Sequence, residues 1–391
     1  MTTAASRHPV VRTIHGASSW RIANDVVQAW LTREGGHLGP VTFKTPVGEI
    51  QPFAVAPWLP REIAKDAPEV LRNLRGDFFC LPFGANSPAP RGEQHSLHGA
   101  TSSARWSLLS YTRSRNTAEL VAGMRLTPRQ GTITKRIRLA PGQTVLYCSH
   151  DIKGMAGPMC LGHHAMLRFP DQEGAGRIAC SGIRFGQVGS AHTENPAQGG
   201  YSSLRPGAVF RDLRRVPCAA GGYADLTRFP ARAGFDDLVL LVSGASGPLG
   251  WTAVTYPREK YLWFALKNPK QLVSTLLWHS NGGRHYPPWN GRHRPVLGLE
   301  DITAFFDLGL AASSRVNSLS RRGVPTTLTL RQDRVLRIPY VMGVARIPNG
   351  FDTVDRVRFK ADHIVFESKA GPAVRQSVDL TFLNDTERVN P

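Results

Sequence analysis

Short runs of alternating apolar and polar residues recur along most of the chain and predict an antiparallel β protein. Clear examples are RWSLLSYTR (105–113), TITKRIRLA (132–140), GWTAVTYP (250–257) and YLWFALK (261–267), each bounded by turn residues. A period of two places successive side chains on opposite faces of a sheet. Many such runs with little helix predict an all-β fold, a sandwich of antiparallel sheets with a few short helices. We expect one domain over residues 1–391, with residues 1–14 as a loose N-terminal lead-in.

Three segments depart from this alternation. The segment from Pro60 to Gly76 predicts a helix, because proline suits the first helical turn and glycine the position after the last. The segment EDITAFFDLGLAAS (300–313) predicts a second, short helix. Residues 76–99 predict a long irregular loop, and loops of this kind often carry functional residues.

The chain is strongly basic, with a formal net charge of +19, and only nine of its 48 basic residues are lysines, which leaves 39 arginines. Arginine binds phosphate and carboxylate groups in a bidentate manner, so an anionic ligand is one possible partner. The basic residues are dispersed rather than gathered into one tail. We therefore expect no nucleic-acid partner, although a basic nucleic-acid-binding β protein is kept as a third hypothesis.

The spacing of the cysteines and the length of the apolar runs indicate the cellular location of the protein. The five cysteines include no C-x-x-C pair, which argues against a disulfide framework or a structural zinc site and favours a reducing compartment. The N-terminus lacks the apolar core of a signal peptide, and no run is long enough to span a membrane. These observations predict a cytoplasmic protein without membrane contact.

Three polar residues beside apolar runs are candidates for chemistry: His98, His164 and Glu300. Each also has a structural interpretation, because a histidine beside glycine is often satisfied within the fold, and an acid can cap the following helix. Together, one carboxylate and two imidazoles can supply a general base and a general acid near neutral pH. No nucleophile motif and no H-E-x-x-H spacing accompany them, so we expect neither a metal nor a cofactor.

The segment from Trp278 to Asp301 is dense in aromatic and basic side chains and predicts one wall of a binding site. Aromatic residues in the candidate segments would suit a sugar ring, whose C–H faces stack on aromatic rings; they are Phe83, Trp106, Trp278 and Trp289. Arg284, Arg292 and Arg294 precede Glu300 within sixteen residues. If they face the site, a phosphorylated or acidic sugar is favoured; otherwise they are solvated loop residues.

Three segments in a fixed order resemble the aldose 1-epimerase, or galactose mutarotase-like, superfamily. They are HSLHGATSSARW (95–106), LGHHAMLRF (161–169) and VLGLED (296–301), and the resemblance covers residues 15–350. The chain departs from the family pattern at His163, where the family usually has asparagine, and at Met166, where it usually has an aromatic residue. The arginine-containing loop of the family has no clear counterpart here, and Arg75 or Asp77 could replace it.

The resemblance implies a β-supersandwich and an isomerase that acts at the anomeric carbon of a sugar. Glu300 would then take the proton of the anomeric hydroxyl, His164 would protonate the ring oxygen, and His98 would bind or polarise the sugar. The expected substrate-binding residues are His95, Arg75, Asp77, Phe83, Trp278, Arg284 and Trp289. A divergent member that binds carbohydrate without turning it over is the main alternative. The sequence leaves the sugar, the metabolic pathway and the choice between monomer and homodimer open.

Overall fold

A computed structural model describes residues 8–87, 92–190, 194–244 and 247–389 of the chain. The first ten strands are β1 (Val11–Ile14), β2 (Ala17–Ala23), β3 (Val27–Thr32), β4 (Leu38–Thr45), β5 (Gly48–Ile50), β6 (Asp77–Cys80), β7 (Ser107–Arg113), β8 (Ala118–Leu126), β9 (Gly131–Leu139) and β10 (Val145–Lys153). The next ten are β11 (Gly157–Met159), β12 (Leu161–Arg168), β13 (Gly176–Cys180), β14 (Ile183–Val188), β15 (Val209–Phe210), β16 (Val216–Pro217), β17 (Tyr223–Ala224), β18 (Arg228–Phe229), β19 (Phe235–Ser243) and β20 (Gly250–Tyr256).

The remaining described strands and the α-helix lie in the C-terminal third, and the six short 3-10 turns are spread along the chain. The strands are β21 (Tyr261–Lys267), β22 (Ser274–Asn281), β23 (Val296–Thr303), β24 (Leu328–Leu330), β25 (Arg334–Arg346), β26 (Arg356–Phe359), β27 (His363–Glu367), β28 (Val374–Ser377) and β29 (Glu387–Val389). Among the described residues, the α-helical structure is α1 (Gly309–Ser314). The 3-10 turns are Pro60–Glu62, Glu69–Asn73, Ala100–Ser102, Pro196–Gln198, Ser320–Arg322 and Leu380–Asn384.

Two large antiparallel sheets form the body of the described chain. The larger has 12 strands, in the order β1-β2-β3-β4-β6-β12-β23-β22-β19-β14-β15, with β5 attached to β4. The smaller has 10 strands, in the order β18-β13-β20-β21-β25-β10-β9-β8-β7, with β29 attached to β25. The prediction of an all-β sandwich with few short helices is confirmed, because alternating strands bury one face of each sheet in a common core.

A second, smaller core lies on the smaller sheet and is covered by strands β26, β27 and β28. Ile364 and Phe366 of β27 are fully buried there, and Phe366 packs against Phe264 of β21 with ring centroids 5.1 Å apart. This cover buries side chains of β21 that would otherwise face water. The expectation of one domain over residues 1–391 stays a prediction.

The predicted helix at residues 60–76 is wrong. The segment contains the 3-10 turns Pro60–Glu62 and Glu69–Asn73, separated by Pro68, which has no N–H to donate and disfavours helical geometry in the residue before it. Tertiary contacts fix the segment instead, since Trp58 Nε1 donates to the carbonyl of Leu71 at 2.7 Å.

Three further boundaries also differ from the predictions. Residues 11–14 form β1, which pairs with β2, so the loose lead-in is wrong for these residues, while residues 1–7 lie outside the described chain. The segment from residue 300 continues β23 to Thr303, and its helix begins only at Gly309. The predicted irregular loop contains β6 at residues 77–80; of its remainder, residues 88–91 are not described. No helix among the described residues has the length and apolar character needed to cross a membrane.

Candidate active site

The centre of the larger sheet brings two pairs of consecutive polar residues together. Strands β12 and β23 are antiparallel neighbours, and their register pairs Gly162 with Ile302 and Ala165 with Leu299. Positions 163 and 164 therefore lie opposite positions 301 and 300. Because side chains alternate along a strand, His164 and Glu300 share one face of the sheet, whereas His163 and Asp301 share the other.

His164 and Glu300 form a close pair on the face that bounds a cavity. His164 Nε2 lies 3.4 Å from Glu300 Oε1, and both side chains are almost fully buried. Burial raises the pKa of Glu300 well above its usual range, and the nearby carboxyl of Asp307 adds to this rise. Burial also lowers the pKa of His164 well below its usual range, with the neighbouring His98 as the next cause. Both changes favour the uncharged forms, which are the protonated carboxyl of Glu300 and the neutral imidazole of His164.

Gly298 leaves the space that the Glu300 carboxylate occupies. A Cβ atom at position 298 would lie 2.8 Å from Glu300 Oε1 and 3.0 Å from Trp278 Cβ. Real Cβ atoms do not approach other heavy atoms so closely without a shift of their neighbours. The glycine of the VLGLED segment is thus required by the position of the carboxylate.

His98 reaches the same cavity from a tight loop. Gly99 after it has φ +76°, and a Cβ there would lie 2.0 Å from the carbonyl oxygen of Leu81, so only glycine fits. The backbone N–H of Gly84 donates to His98 Nδ1 at 3.3 Å, which leaves Nε2 as the protonated nitrogen of the neutral ring. Burial, with a smaller contribution from Arg284, lowers the pKa of His98 to about 3. His98 is therefore a neutral hydrogen-bond donor.

The three candidate residues line one cavity of about 290 Å³. The His98 and His164 rings meet edge to face with centroids 5.1 Å apart, and His164 stacks on Phe78 at 4.5 Å. Trp278, Arg284 and Trp289 also line the cavity. The structure thus brings together six of the predicted site residues, from segments far apart in the sequence; their roles stay predictions.

The Arg284 guanidinium is held between two indole rings and two carboxylates. Its Cζ lies 4.9 Å from the Trp278 ring centroid and 4.8 Å from that of Trp289. Its Nη2 lies 2.7 Å from Glu194 Oε1, and its Nε lies 3.7 Å from Asp236 Oδ2. Burial lowers the pKa of Arg284, but the charges of Glu194 and Asp236 outweigh this and raise it above its ordinary value.

Four predicted substrate-binding residues do not line this cavity, and each has a physical reason. Arg75 is buried and its Nη1 donates to the carbonyl of Ile14 at 2.7 Å. Asp77 accepts from His163 Nδ1 at 2.9 Å on the opposite face of the sheet. His95 lies 3.2 Å from Glu93. Phe83 is fully buried and packs edge to face against the His98 ring at 4.9 Å, so it supports His98 rather than facing a ligand.

The other two arginines of the predicted wall lie at the protein surface. Arg292 Nη1 is 3.6 Å from Glu62, and Arg294 Nη2 is 3.8 Å from Asp171, and neither residue lines the cavity. Both side chains are at least two-fifths exposed. Of the three arginines considered for an anionic ligand, only Arg284 is at the cavity.

Like Tyr286, Asp307 is a polar cavity residue that the sequence did not single out. Its Oδ1 is buried and has no hydrogen-bond partner among the described residues, and burial raises its pKa. An isolated acid in the apolar segment FFDLG was a signal, but the segment was predicted to be helical. The apolar lining from residues 67–74 and from Pro287 and Pro288 was also missed.

The opposite face of the same strands carries a buried polar cluster in which both oxygens of Asp301 are hydrogen-bonded. Asp301 Oδ1 lies 2.5 Å from Lys267 Nζ and accepts from Thr275 Oγ1 at 2.6 Å, while its Oδ2 accepts from Tyr340 at 2.7 Å. The His163 ring stacks on Tyr340 with centroids 4.1 Å apart. Asp301 therefore ties β23 to the smaller sheet. Within the described residues, no group of three histidine, cysteine or acidic side chains is arranged to hold a metal ion.

Comparison with known proteins identifies the fold. No protein-family model and no curated protein matches the chain. A candidate mutarotase from Salmonella typhimurium is 14% identical over 88% of this chain and 96% of that chain, with a TM-score of 0.54. A candidate aldose 1-epimerase from Escherichia coli K12 is 12% identical over 85% of this chain and 100% of that chain, with a TM-score of 0.55. The chain has the mutarotase-like fold. The expected β-supersandwich is therefore confirmed.

A third solved structure supports the same assignment. A galactose mutarotase-related enzyme from Lactobacillus acidophilus is 12% identical over 87% of this chain and 100% of that chain, with a TM-score of 0.52. At such low identity, likeness to a mutarotase-like structure establishes the fold and leaves the chemistry to be argued from the site.

Proposed function

We propose that this protein interconverts the α and β anomers of a sugar by acid–base catalysis, without a cofactor. The observation that carries the proposal is the His164–Glu300 pair, 3.4 Å apart at a cavity of ligand size on a mutarotase-like fold. The anomeric hydroxyl and the ring oxygen of a sugar are bound to the same carbon. An acid and a base that act on these two oxygens must lie close together, as these two side chains do.

The reaction needs one proton removed and one delivered in each direction. The Glu300 carboxylate takes the proton of the anomeric hydroxyl while the His164 imidazolium protonates the ring oxygen. The bond between C1 and the ring oxygen breaks, and C1 becomes an aldehyde carbon. After rotation about the C1–C2 bond, the hydroxyl attacks the other face of the aldehyde. His164 takes back its proton and Glu300 returns the other, so the side chains end as they began.

The buried environment suits this exchange of protons. A carboxylate whose pKa is raised is a stronger base, and an imidazolium whose pKa is lowered is a stronger acid. The uncharged pair can reach the reactive charged form by moving one proton between its members. His98, a neutral donor at Nε2, would hold a sugar oxygen in place. Trp278 and Trp289 also line the cavity, where Arg284 packs over both rings and His293 stacks on Trp278.

The proposal is tested by following anomer interconversion by NMR for a panel of hexoses and hexose derivatives. We expect the wild-type protein to accelerate equilibration of at least one sugar, and Glu300→Gln to remove most of that acceleration. Saturable sugar binding without acceleration would instead support a carbohydrate-binding protein without catalysis. Absence of both would contradict the proposal.

A further inference from the structure

The cavity is polar at one group of side chains and apolar over most of its remaining surface. His98, His164, Glu300 and Asp307 supply polar groups, and Arg284 and Tyr286 also line the cavity. The segment 67–74 contributes an aliphatic wall of Ala67, Pro68, Val70, Leu71 and Leu74, and Pro287 and Pro288 add to it. A sugar with a hydroxyl on every carbon would have to bury some of these hydroxyls against groups that cannot form hydrogen bonds, which is unfavourable.

Arg284 does not make the cavity a site for an anion. Among the described lining residues it is the only arginine or lysine, and its guanidinium contacts Glu194 at 2.7 Å and Asp236 at 3.7 Å. Glu300 and Asp307 add two further carboxyls at the cavity. Both cavity histidines have lowered pKa values and carry no charge near neutral pH. A phosphate group would therefore find no unpaired cation among the described lining residues.

We propose that the substrate is an uncharged sugar that carries an apolar substituent or lacks a hydroxyl on its side remote from the anomeric carbon. This inference rests on the proposed function and narrows its substrate class. The anomeric end is held by His98, His164 and Glu300, with Asp307 Oδ1 as an acceptor for a neighbouring hydroxyl. The apolar part packs on the wall around Val70 and Leu71. The cavity volume of about 290 Å³ is at the lower end for small-molecule sites, which favours a monosaccharide with a small substituent.

The substrate class is tested with matched probes that differ at one position. The panel contains D-glucose, 6-deoxy-D-glucose, the 3-O-, 4-O- and 6-O-butyl ethers of D-glucose, D-glucose 6-phosphate and the corresponding D-galactose series. Anomer exchange is measured by NMR with the wild-type protein. We expect at least one deoxy or butyl probe to show a kcat/KM at least tenfold above its parent sugar, and the 6-phosphates to show the lowest values. Highest turnover of a parent sugar or a phosphate would overturn the inference.

Binding to Glu300→Gln separates failure of this inference from failure of the proposed function. The fluorescence of Trp278 and Trp289, which line the cavity, reports occupancy without turnover. If no probe is turned over but a deoxy or butyl probe binds at least tenfold more tightly than its parent, the catalytic proposal falls and the ligand class stands. If parent sugars are turned over and bind as well as their derivatives, the ligand class falls and the catalytic proposal stands.

A single variant tests whether the aliphatic wall of residues 67–74 causes the preference for apolar probes over their parent sugars. Val70 is buried at the cavity, and Val70→Thr introduces one hydroxyl at nearly constant shape. We expect it to reduce the preference for the apolar probe by at least threefold. Val41→Thr, at an equally buried valine that does not line the cavity, is the matched control and should leave the ratio unchanged. Equal ratios for Val70→Thr and the wild type would contradict the placement of the apolar substituent.

Discussion

His163 and His164 are consecutive residues of one strand, yet they have opposite surroundings. His163 lies between the two sheets, bonded to Asp77 at 2.9 Å and stacked on Tyr340. His164 lies on the cavity face, 3.4 Å from Glu300, and its Nδ1 has no hydrogen-bond partner among the described residues. Both side chains are almost fully buried, so burial does not distinguish them. Each ring also leaves one nitrogen without a hydrogen-bond partner among the described residues, Nε2 in His163 and Nδ1 in His164, so the difference is that only His164 lines the cavity.

The neighbouring strand repeats this contrast in Glu300 and Asp301. Both Asp301 oxygens are occupied by Lys267, Thr275 and Tyr340, with distances between 2.5 and 2.7 Å. Glu300 has His164 nearby and otherwise borders the cavity. A polar group whose hydrogen bonds are complete stabilises the fold, whereas one beside a cavity with incomplete partners is available to a ligand.

The largest expected effect comes from comparing His164→Gln with His163→Gln. His164→Gln removes the proposed acid and should reduce kcat on the order of 10²–10⁴-fold with little loss of stability. His163→Gln should retain most of the turnover but lower the free energy of unfolding by about 1–3 kcal/mol, because the buried Asp77 loses its partner. Turnover by NMR and urea denaturation of both variants check this. Loss of turnover in a stable His163→Gln protein would reverse the assignment of the two faces.

Asp301→Asn should show the structural role of the interior face. The change leaves the buried Lys267 ammonium without its carboxylate and should lower the free energy of unfolding by about 3–5 kcal/mol. Adding Lys267→Met removes the unpaired charge and should restore part of the loss. Urea denaturation of the single and double variants measures both effects. A single variant as stable as the wild type would show that this ion pair does not hold the sheets together.

Gly298→Ala should disturb the cavity face without removing any functional group. The new Cβ would approach within 2.8 Å of Glu300 Oε1, so the carboxylate must move. A displacement of this kind should lower kcat by about 10–100-fold, equivalent to about 1.4–2.7 kcal/mol in activation free energy. Steady-state anomer exchange checks this, with Gly247→Ala as control, because a Cβ at Gly247 would meet nothing within 4 Å. Unchanged kcat in Gly298→Ala would show that the Glu300 position is not critical.

The smallest expected effect is a dependence of stability on pH that both faces share. Burial lowers the pKa of His164 and of the interior His150 well below the unfolded value near 6.5. Below pH 6.5 the unfolded chain therefore binds more protons than the native one, and stability falls as pH falls. Between pH 7 and 5.5 each such histidine should contribute a loss on the order of 1 kcal/mol.

Two variants check this pH dependence by urea denaturation at both pH values. His164→Gln and His150→Gln should each reduce the loss between pH 7 and 5.5, although only His164→Gln should affect turnover. An undiminished loss in both variants would show that other groups cause the acid sensitivity.

The fold could be predicted from the sequence because its alternation is local, and the same alternation placed His163 and His164 on opposite faces. Alternation alone does not show which face of β12 borders a cavity, because the cavity is closed by residues 67–74 and 284–289, which are distant from β12 in the sequence. Alternation assigns side chains to faces only where the strand has no bulge or register shift. Contacts such as that between Asp301 and Tyr340 depend on how the two sheets pack, which alternation does not show.

The position of the predicted site residues that do not line the cavity has a similar explanation. Arg75 and Asp77 had the right residue types for a sugar site, but their partners Ile14 and His163 lie 61 and 86 residues away in the sequence. Asp307 was missed because its segment was predicted to be helical. The glycine at position 309 was the available signal in the sequence, and its φ of +79° shows that the chain turns there before α1.

A double-mutant cycle on Glu300 and His164 tests the central claim most directly. The rate of exchange between α and β anomers is measured by NMR for the wild type, Glu300→Gln, His164→Gln and the double variant, with folding checked by urea denaturation. If the two side chains act as one acid–base unit, each single variant should lose most of the acceleration and the double variant should be little slower than either. The claim would be contradicted if the rate losses of the two single variants multiplied in the double variant. It would also be contradicted if the single variants exchanged anomers as fast as the wild type.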